Sequence, residues 1–305
     1  MAVFSTENTK VLLPREISDP MVKAARTTSL VAQLSQRQPM RFGESDIIVF
    51  NDFPKAEFVD QGAEKSSTTA GFTSVTAKPR KAQVTMRFNE EVVWASEDFQ
   101  LEVLSQVAEA GQVALSRALD LGMFHRINPL TGQAISTWDN YILSTSKTVE
   151  QATADADEDF RTAVGLLVNA SPSWGVNGAA IDPKFAWDLS NLKAKDGAGA
   201  TSAQRYPQLG FGTDVTNFLG LPVAVGDTVS GTPEATDTKV RAIVGDFQNG
   251  IRWGVQRELP VELIQFGDPD GQGDLKRKNQ VALRLEIVYG WYAFADRFAV
   301  VKAGA

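Results

Sequence analysis

Two glycine-rich loops hold the residue types that most readily bind a small ligand. Gly197–Ser202 reads Gly-Ala-Gly-Ala-Thr-Ser, half of a phosphate-binding loop, but it follows a predicted helix and lacks the third glycine and the lysine. Gly267–Asp274 alternates acidic and amide side chains as a calcium loop does, yet Asn279 stands where the bidentate glutamate is needed. We interpret the first as a mobile surface loop and the second as an acidic turn, and predict neither a cofactor nor a metal site.

Acid–base catalysis would need a carboxylate pair, or a histidine beside a nucleophile. Glu90 and Glu91 are adjacent in an extended stretch, so their side chains point to opposite faces and cannot share a substrate. His125 is the single histidine; its place near the end of a predicted helix favours a role in complementing the helix dipole. A chain with no cysteine has no thiol nucleophile and no cysteine zinc site. The sequence therefore disfavours a hydrolase and predicts a protein that is not an enzyme.

The element that positions His125 is the longest one in the chain. From Glu97 onward, apolar residues recur at spacings of three and four, proline is absent and strong helix formers dominate. Ser96 precedes two carboxylates and suits the N-cap position. We predict a helix over 97–126, about 45 Å long at ~1.5 Å per residue, and call it the spine helix.

An extended ribbon precedes the spine helix. Strand-like runs at 47–50 and 56–59 lead to a polar stretch at 62–71, and Ala82, Val84, Met86 and Phe88 then alternate with polar residues. A two-stranded ribbon is marginal in water, so its aromatic residues need a covering surface. A neighbouring subunit is the favoured surface, with the protein's own core as the alternative. The aromatic residues concerned are Phe50, Phe53, Phe58 and Phe72.

Charge separates the start of the chain from the rest. The net charge is −7, but residues 1–41 carry six basic and three acidic side chains, a net +3, which leaves −10 for the remainder. This basic arm, with Arg15 and Arg26 as contact candidates, either lies on an acidic surface of another copy, faces a polyanion, or is a solvated tail. A short helix is predicted over Met21–Ser35, because Asp19 and Pro20 suit its start.

The residues after the spine helix read as a mixed lobe. We expect short strands at 133–147, helices at 155–168 and from Asp182, and strands at 179–181, 221–225, 240–247, 251–255, 261–266 and 281–289. Helices and strands follow each other without a regular βαβ repeat, which favours an α+β fold. Arg284 and Glu286 share one face of the last strand, where they can pair across an interface or with a neighbouring strand.

No apolar run of about 18 residues is present, and no signal peptide is recognisable, so we expect synthesis in a cytoplasm.

Seven segments, in this order and at this spacing, resemble the major capsid protein family of tailed bacteriophages, which has the HK97-like fold. The segments are Phe58–Glu64, Phe72–Ala82, Glu90–Asp98, Asp182–Leu189, Leu219–Asp227, Val244–Phe247 and Asn279–Glu286. The resemblance implies an N-terminal arm with a short helix at 1–40, an extended β-hairpin loop at 41–90, a peripheral domain at 91–150 plus 278–290, and an axial domain at 151–277 plus 291–305.

The resemblance also implies a mechanical function. Copies of such a protein assemble into pentamers and hexamers, and these form an icosahedral shell around double-stranded DNA without sequence-specific binding. The expected location is the virion, after assembly in the host cytoplasm and without a membrane. The expected partners are a portal, a maturation protease and a separate scaffolding protein, since the chain begins almost at the arm.

Some members of that family join subunits through an isopeptide bond between lysine and asparagine, assisted by a glutamate. The family spacing implies Asn279 as the acceptor and Glu286 as the acid, with Lys65 near the hairpin tip as the donor. Ordinary strand-end and ion-pair roles remain the alternative for Asn279 and Glu286.

Two other functions stay open at this point. An encapsulin-type nanocompartment shell has the same fold but encloses an enzyme in place of a genome, and the neighbouring genes would separate the two. A cytoplasmic hydrolase is the alternative of another class. A DNA-binding module is disfavoured, because the body is acidic and offers no basic recognition helix.

Overall fold

The computed structural model describes residues 29–50, 56–67, 72–90, 97–151, 155–196, 199–211, 215–258 and 261–304. The helices of these residues are α1 (Leu30–Leu34), α2 (Glu97–His125), α3 (Ala156–Val168) and α4 (Pro183–Asn191). Their strands are β1 (Ser45–Phe50), β2 (Phe72–Asn89), β3 (Ile127–Asn128), β4 (Gln133–Ala134), β5 (Thr148–Gln151), β6 (Gly178–Ile181), β7 (Lys193–Asp196), β8 (Gly199–Gln204), β9 (Asn217–Phe218), β10 (Leu221–Val225), β11 (Val240–Gly245), β12 (Ile251–Glu258), β13 (Glu262–Ile264), β14 (Gln280–Ala293) and β15 (Phe298–Ala303). The predicted α+β class is confirmed.

The spine helix, α2, runs for 29 residues and confirms the predicted helix over 97–126 to within one residue. Its last turns are enclosed on several sides, since Leu119, Leu121 and Phe124 have no exposed surface. The helix ends where Arg126 adopts a left-handed backbone with φ of 55°. The predicted N-cap, Ser96, lies outside the described residues.

One sheet packs against the spine helix. Its strand order is β1-β2-β14-β12, and β13 also pairs with β14. Strands β2 and β14 are antiparallel, from Gln280 opposite Asn89 to Trp291 opposite Lys78. The alternation predicted for β2 is confirmed, because its apolar side chains pack against the core that contains Leu285. The polar side chains of β2 consequently lie on the opposite face of the sheet.

A second sheet, of order β5-β15-β11-β6-β10-β9, forms the centre of the other lobe. Strand β6 is parallel to β10 and antiparallel to β11. One face of this sheet packs against Phe160 of α3 and Phe185 of α4. The other face contributes Ala180 and Ile243 to the core that also contains the spine helix, so this sheet separates two hydrophobic cores.

Residues 35–43 run along strand β12 and cover it. The Gln38 amide donates to the Trp253 carbonyl at 2.8 Å, and the Trp253 indole N–H donates to Ser35 Oγ at 2.9 Å. Gly254 permits this close approach, since a Cβ there would lie 2.2 Å from the Gln38 carbonyl oxygen. The segment therefore covers the edge of β12, where another strand could otherwise pair.

Several predicted elements differ in the structure. Residues 56–59, predicted as a strand, are part of a loop, and the described part of the predicted helix 21–35 is only Leu30–Leu34. The expected strands within 133–147 reduce to β4 and a single 3₁₀ turn at Ile142–Ser144. The loop predicted at 197–202 is largely strand, because β8 pairs antiparallel with β7. Among the described residues, no helix has the length and apolarity needed to cross a membrane.

Candidate assembly surfaces

The tip of the extended loop, residues 56–67, presents an aromatic side chain to solvent. Phe58 is fully exposed, and Val59 next to it is also exposed. The loop is closed beneath them, because the Glu57 carboxylate accepts hydrogen bonds from the amide and the hydroxyl of Ser66. A large apolar side chain held outward in this way is typical of an anchor that inserts into another molecule.

The base of the extended loop is the antiparallel pair β1 and β2. Ile48 on β1 is exposed, and β1 is the outer strand of its sheet. Phe50 and Phe72 are paired across the ribbon, and their contacts with a neighbouring copy stay predictions. Phe53 and the arm residues Arg15 and Arg26 lie outside the described residues. Their contacts with a neighbouring copy stay predictions.

Arg284 and Glu286 have partners within their own chain. Glu286 forms an ion pair of 2.7 Å with Lys81 of β2. Arg284 donates to Thr85 Oγ1 at 3.1 Å and to the Pro269 carbonyl at 2.8 Å. The interpretation that they pair with a neighbouring strand is thus confirmed, and their role between subunits stays a prediction.

The acidic turn at 267–274 surrounds a side chain of the chain itself. The Arg87 guanidinium binds Asp268 at 2.9 Å, the Gly273 carbonyl at 2.9 Å, and both oxygens of Asp270. These bonds hold the pKa of the Asp270 carboxyl below its usual value. In the described part of the chain, no group of three His, Asp or Glu residues is placed to hold a metal ion. The guanidinium group therefore takes the place that the metal ion has in a calcium-binding loop.

The candidate acid–base residues are engaged in structural contacts. Glu90 pairs with Lys276 at 2.7 Å, and Glu91 lies outside the described residues. His125 is buried, and its Nε2 lies 3.1 Å from the Thr228 carbonyl and 3.0 Å from the Val229 carbonyl. Burial lowers the His125 pKa to about 4, so the imidazole is neutral near pH 7. The predicted dipole role is therefore wrong, because it requires the protonated ring.

Residues 9–296 match the model of the phage capsid family. The chain belongs to that family. A solved structure from Mycobacterium phage Ogopogo is 43% identical, with a TM-score of 0.79 over 91% of this chain and 92% of that chain. One from Gordonia phage Cozz is 26% identical, with a TM-score of 0.78 over 91% and 87%. No curated protein matches this chain.

A structure titled as the capsid of an empty GTA particle computed with C5 symmetry shares the fold at 17% identity. Its TM-score is 0.58 over 91% of this chain and 90% of that chain. These likenesses confirm the HK97-like fold. This chain is a phage major capsid protein, a structural protein of the virion.

The capsid protein has further exposed apolar residues that the sequence analysis missed. Phe211 and Leu219 are exposed in two turns of the second lobe, and Trp187 is 52% exposed on α4. Phe185 and Leu189 of the same helix are fully buried. At two residues from each of them, Trp187 falls on the opposite side of the helix. A tryptophan on the polar face of an amphipathic helix is the signal that could have revealed this surface.

Two of the three residues assigned to a cross-link, Asn279 and Glu286, lie far apart in one copy of the capsid protein. Lys65 is exposed in the loop tip, and Asn279 is exposed in a left-handed turn with φ of 51°. Glu286 is seven positions further on, about 23 Å away at ~3.3 Å per strand residue. A cross-link assisted by Glu286 would therefore draw its groups from different copies. It stays a prediction, and boiled denatured particles that run only as a 33.1 kDa band would contradict it.

Proposed function

We propose that copies of this protein form pentamers and hexamers that close into an icosahedral shell around the double-stranded DNA of a tailed phage. Membership of the phage capsid family supports a shell-forming role. The observation that carries the proposal is the fully exposed Phe58 at the end of an extended loop. An apolar anchor of this kind gains its burial free energy only on another molecule, about 2–3 kcal/mol for a phenylalanine.

The surface that receives the tip must be apolar and cationic. The described tip carries Glu57, Asp60 and Glu64 against the single cation Lys65, a net charge of −2. Phe266 fits this requirement, because it is 69% exposed and the Lys276 Nζ lies 5.3 Å from its ring. We assign the receiving surface to this turn on a neighbouring copy.

The turn around Phe266 has additional charges that favour the same assignment. Arg277 and Lys278 are exposed beside Lys276, while Asp274 and the ion-paired Glu90 partly offset them. Asp268 and Asp270 of the neighbouring acidic turn are bound by Arg87. Many contacts of this moderate strength, repeated around a closed shell, stabilise it because each one raises the effective concentration of the next.

The experiment compares three chains, purified and brought to assembly conditions. Wild type is expected to give hollow particles by electron microscopy, irregular in size when the scaffolding protein is absent, whereas Phe58→Ala lowers the particle yield at least tenfold. The thermal midpoint of the unassembled chain should not change, because an exposed side chain contributes little to folding. Phe58→Trp, which keeps an aromatic anchor, is the matched control and should assemble. A compact monomer with its ribbon on its own body, and no particles under any condition, would overturn the proposal.

The enclosed cargo is tested separately. Particles from infected cells should protect double-stranded DNA from nuclease, whereas an enclosed enzyme would point to a nanocompartment. We place assembly in the host cytoplasm, with a scaffolding protein, a portal and a protease as partners. Co-purification of all three with immature particles would support these partners, and closed, accurately sized particles from the chain alone would contradict the scaffold.

A further inference from the structure

One buried carboxylate on the spine helix binds Ser29–Val31, the segment that directly follows residues 1–28 in the sequence. Asp120 Oδ1 accepts from Ser29 Oγ at 2.5 Å and from the Val31 amide at 3.2 Å. Asp120 Oδ2 accepts from the Leu30 amide at 2.8 Å. Three consecutive residues of the arm root, Ser29–Val31, are therefore held by a side chain about ninety positions away. Neither Ser29 nor Asp120 has any exposed surface.

Packing fixes the same segment from the other side. Leu30 lies against Gly226, where an added Cβ would come within 2.9 Å of the leucine side chain. Leu34 approaches Gly178 in the same way, at 3.5 Å. Leu30 and Val31 belong to the core that lies between the spine helix and the second sheet. The arm root is therefore packed into the hydrophobic core.

Asp120 also binds the turn that follows β10. Its Oδ2 accepts from Thr228 Oγ1 at 3.1 Å. One turn earlier on the helix, Arg117 binds Asp227 at 2.7 Å and the Glu234 carboxylate. The arm root and the 227–234 turn therefore share one carboxylate on the spine helix.

A buried charge at this position has a desolvation cost that no bound cation offsets. The four donors to Asp120 are two amides and two hydroxyls, with no cation among them. Burial raises the Asp120 pKa to about 6, which reflects the cost of keeping a charge here. Buried polar groups that cost stability are best attested where they specify one geometry among several.

We propose that Asp120 is a positioning residue for assembly: it fixes the arm root, Ser29–Val31, on the spine helix. Its importance for assembly rests on the proposed shell function. The geometric part, that Asp120 holds the arm root, stands without it.

Four variants of the full chain test the proposal, each measured unassembled and under assembly conditions. Asp120→Ala and Ser29→Ala remove bonds to the arm root, and Asp120→Asn keeps one acceptor. Thr228→Val removes only the bond to the turn and is the matched control. The direct measurement is hydrogen exchange of the Leu30 and Val31 amides, together with the rate of tryptic cleavage after Lys23 and Arg26.

We expect Asp120→Ala and Ser29→Ala to raise exchange at Leu30 and Val31 at least tenfold, with exchange in β14 unchanged. Tryptic cleavage should accelerate, and particle yield should fall. Thr228→Val should keep both the arm-root protection and the particles at a comparable thermal midpoint, and Asp120→Asn should lie in between. Unchanged exchange at Leu30 and Val31 in Asp120→Ala or Ser29→Ala would overturn the proposal. So would an equal loss of particles in Thr228→Val. A wild type that never assembles would instead reject the shell function. The exchange experiment would still decide whether Asp120 holds the arm root.

Discussion

Asp120 and His125 hold the same residue, Thr228, from two sides. Asp120 Oδ2 accepts from the Thr228 hydroxyl at 3.1 Å, and His125 Nε2 lies 3.1 Å from the Thr228 carbonyl oxygen. Since a carbonyl only accepts, the imidazole donates from Nε2. Burial raises the pKa of Asp120 to about 6 and lowers that of His125 to about 4. Both shifts favour the uncharged forms, so the two groups contribute to stability with opposite dependence on pH.

His125→Gln should remove the contribution of the histidine to the pH dependence of stability at this junction. The unfolded histidine binds a proton near pH 6.5 and the folded one only near pH 4, so the folded state loses stability as pH falls through this window. The expected loss between pH 7.5 and 4.5 is about 2 kcal/mol at ~1.4 kcal/mol per pKa unit. Glutamine keeps an N–H donor without titrating. Urea unfolding of the unassembled chain at the two pH values measures the difference, and equal slopes for wild type and variant would contradict the assignment.

Asp120→Asn should act in the opposite direction. A folded pKa of about 6 against 3.8 unfolded means that the folded state binds the extra proton below pH 6, so its stability rises as pH falls. The expected gain between pH 7.5 and 4.5 is also about 2 kcal/mol. The two contributions therefore nearly cancel in wild type. The stability of Asp120→Asn relative to wild type should rise with pH, and a pH-independent difference would show that Asp120 is not buried as a carboxylate.

The charged groups around this pair do not alter the sign. The α1 helix, Leu30–Leu34, has no ionisable side chain, and Asp227 on the turn is paired with Arg117. Tyr289 on β14 donates to the Leu115 carbonyl at 3.1 Å, and burial raises its pKa further, so it is neutral through this range. The change in stability between pH 4.5 and 7.5 is thus assigned to Asp120 and His125.

The spine helix and the β2–β14 pair could be predicted because their signal is local and long. A 3.6-residue period over 29 residues has no competing interpretation, and neither has strict alternation over eight. The strand predicted at 56–59 depends on a run of only four residues. There, the Glu57–Ser66 contact and the left-handed Gly62 favour a turn, which a local pattern does not reveal.

The contacts that connect distant segments could not be predicted from patterns. Asp120 is an acid within a helix, and nothing local shows that its donors are Ser29 and Thr228. Arg87 likewise meets Asp268 across 181 positions. The one available signal was that Asp120 stands between Leu119 and Leu121, which is unusual for a solvent-exposed acid. Such long-range polar contacts depend on the three-dimensional packing alone.

Gly254→Ala should separate the covering segment from strand β12. Its Cβ would lie 2.2 Å from the Gln38 carbonyl oxygen, a backbone atom that cannot rotate away. We expect a loss of about 1–3 kcal/mol, as for other overpacked sites, and faster exchange of the Gln38 amide. Gly165→Ala is the matched control. Gly165 lies within helix α3, and the atom nearest to its new Cβ is Asn169 Nδ2, 3.8 Å away. We therefore expect the free energy of unfolding to rise by about 0.5–1 kcal/mol. A destabilised Gly165→Ala together with an unchanged Gly254→Ala would refute the packing argument.

Arg87→Gln should loosen the acidic turn without unfolding the sheet. The guanidinium lies between Asp268 and Asp270 and also binds the Gly273 carbonyl. Without it, two neighbouring carboxylates repel each other, so the Asp270 pKa should rise toward or above its ordinary value. Carboxyl titration by NMR measures this rise. Exchange at the Gln272 and Gly273 amides, which donate to the same two carboxylates, should accelerate.

Arg277→Gln is the control for that experiment, because Arg277 is an exposed cation in the adjacent 3₁₀ turn. Charge loss alone would affect both variants alike, whereas a specific contact predicts an effect only for Arg87→Gln. An Asp270 pKa that moves equally in the two variants would mean that long-range charge, and not the Arg87 contact, keeps it low. A shift confined to Arg87→Gln would show that the Arg87 contact itself keeps the Asp270 pKa low.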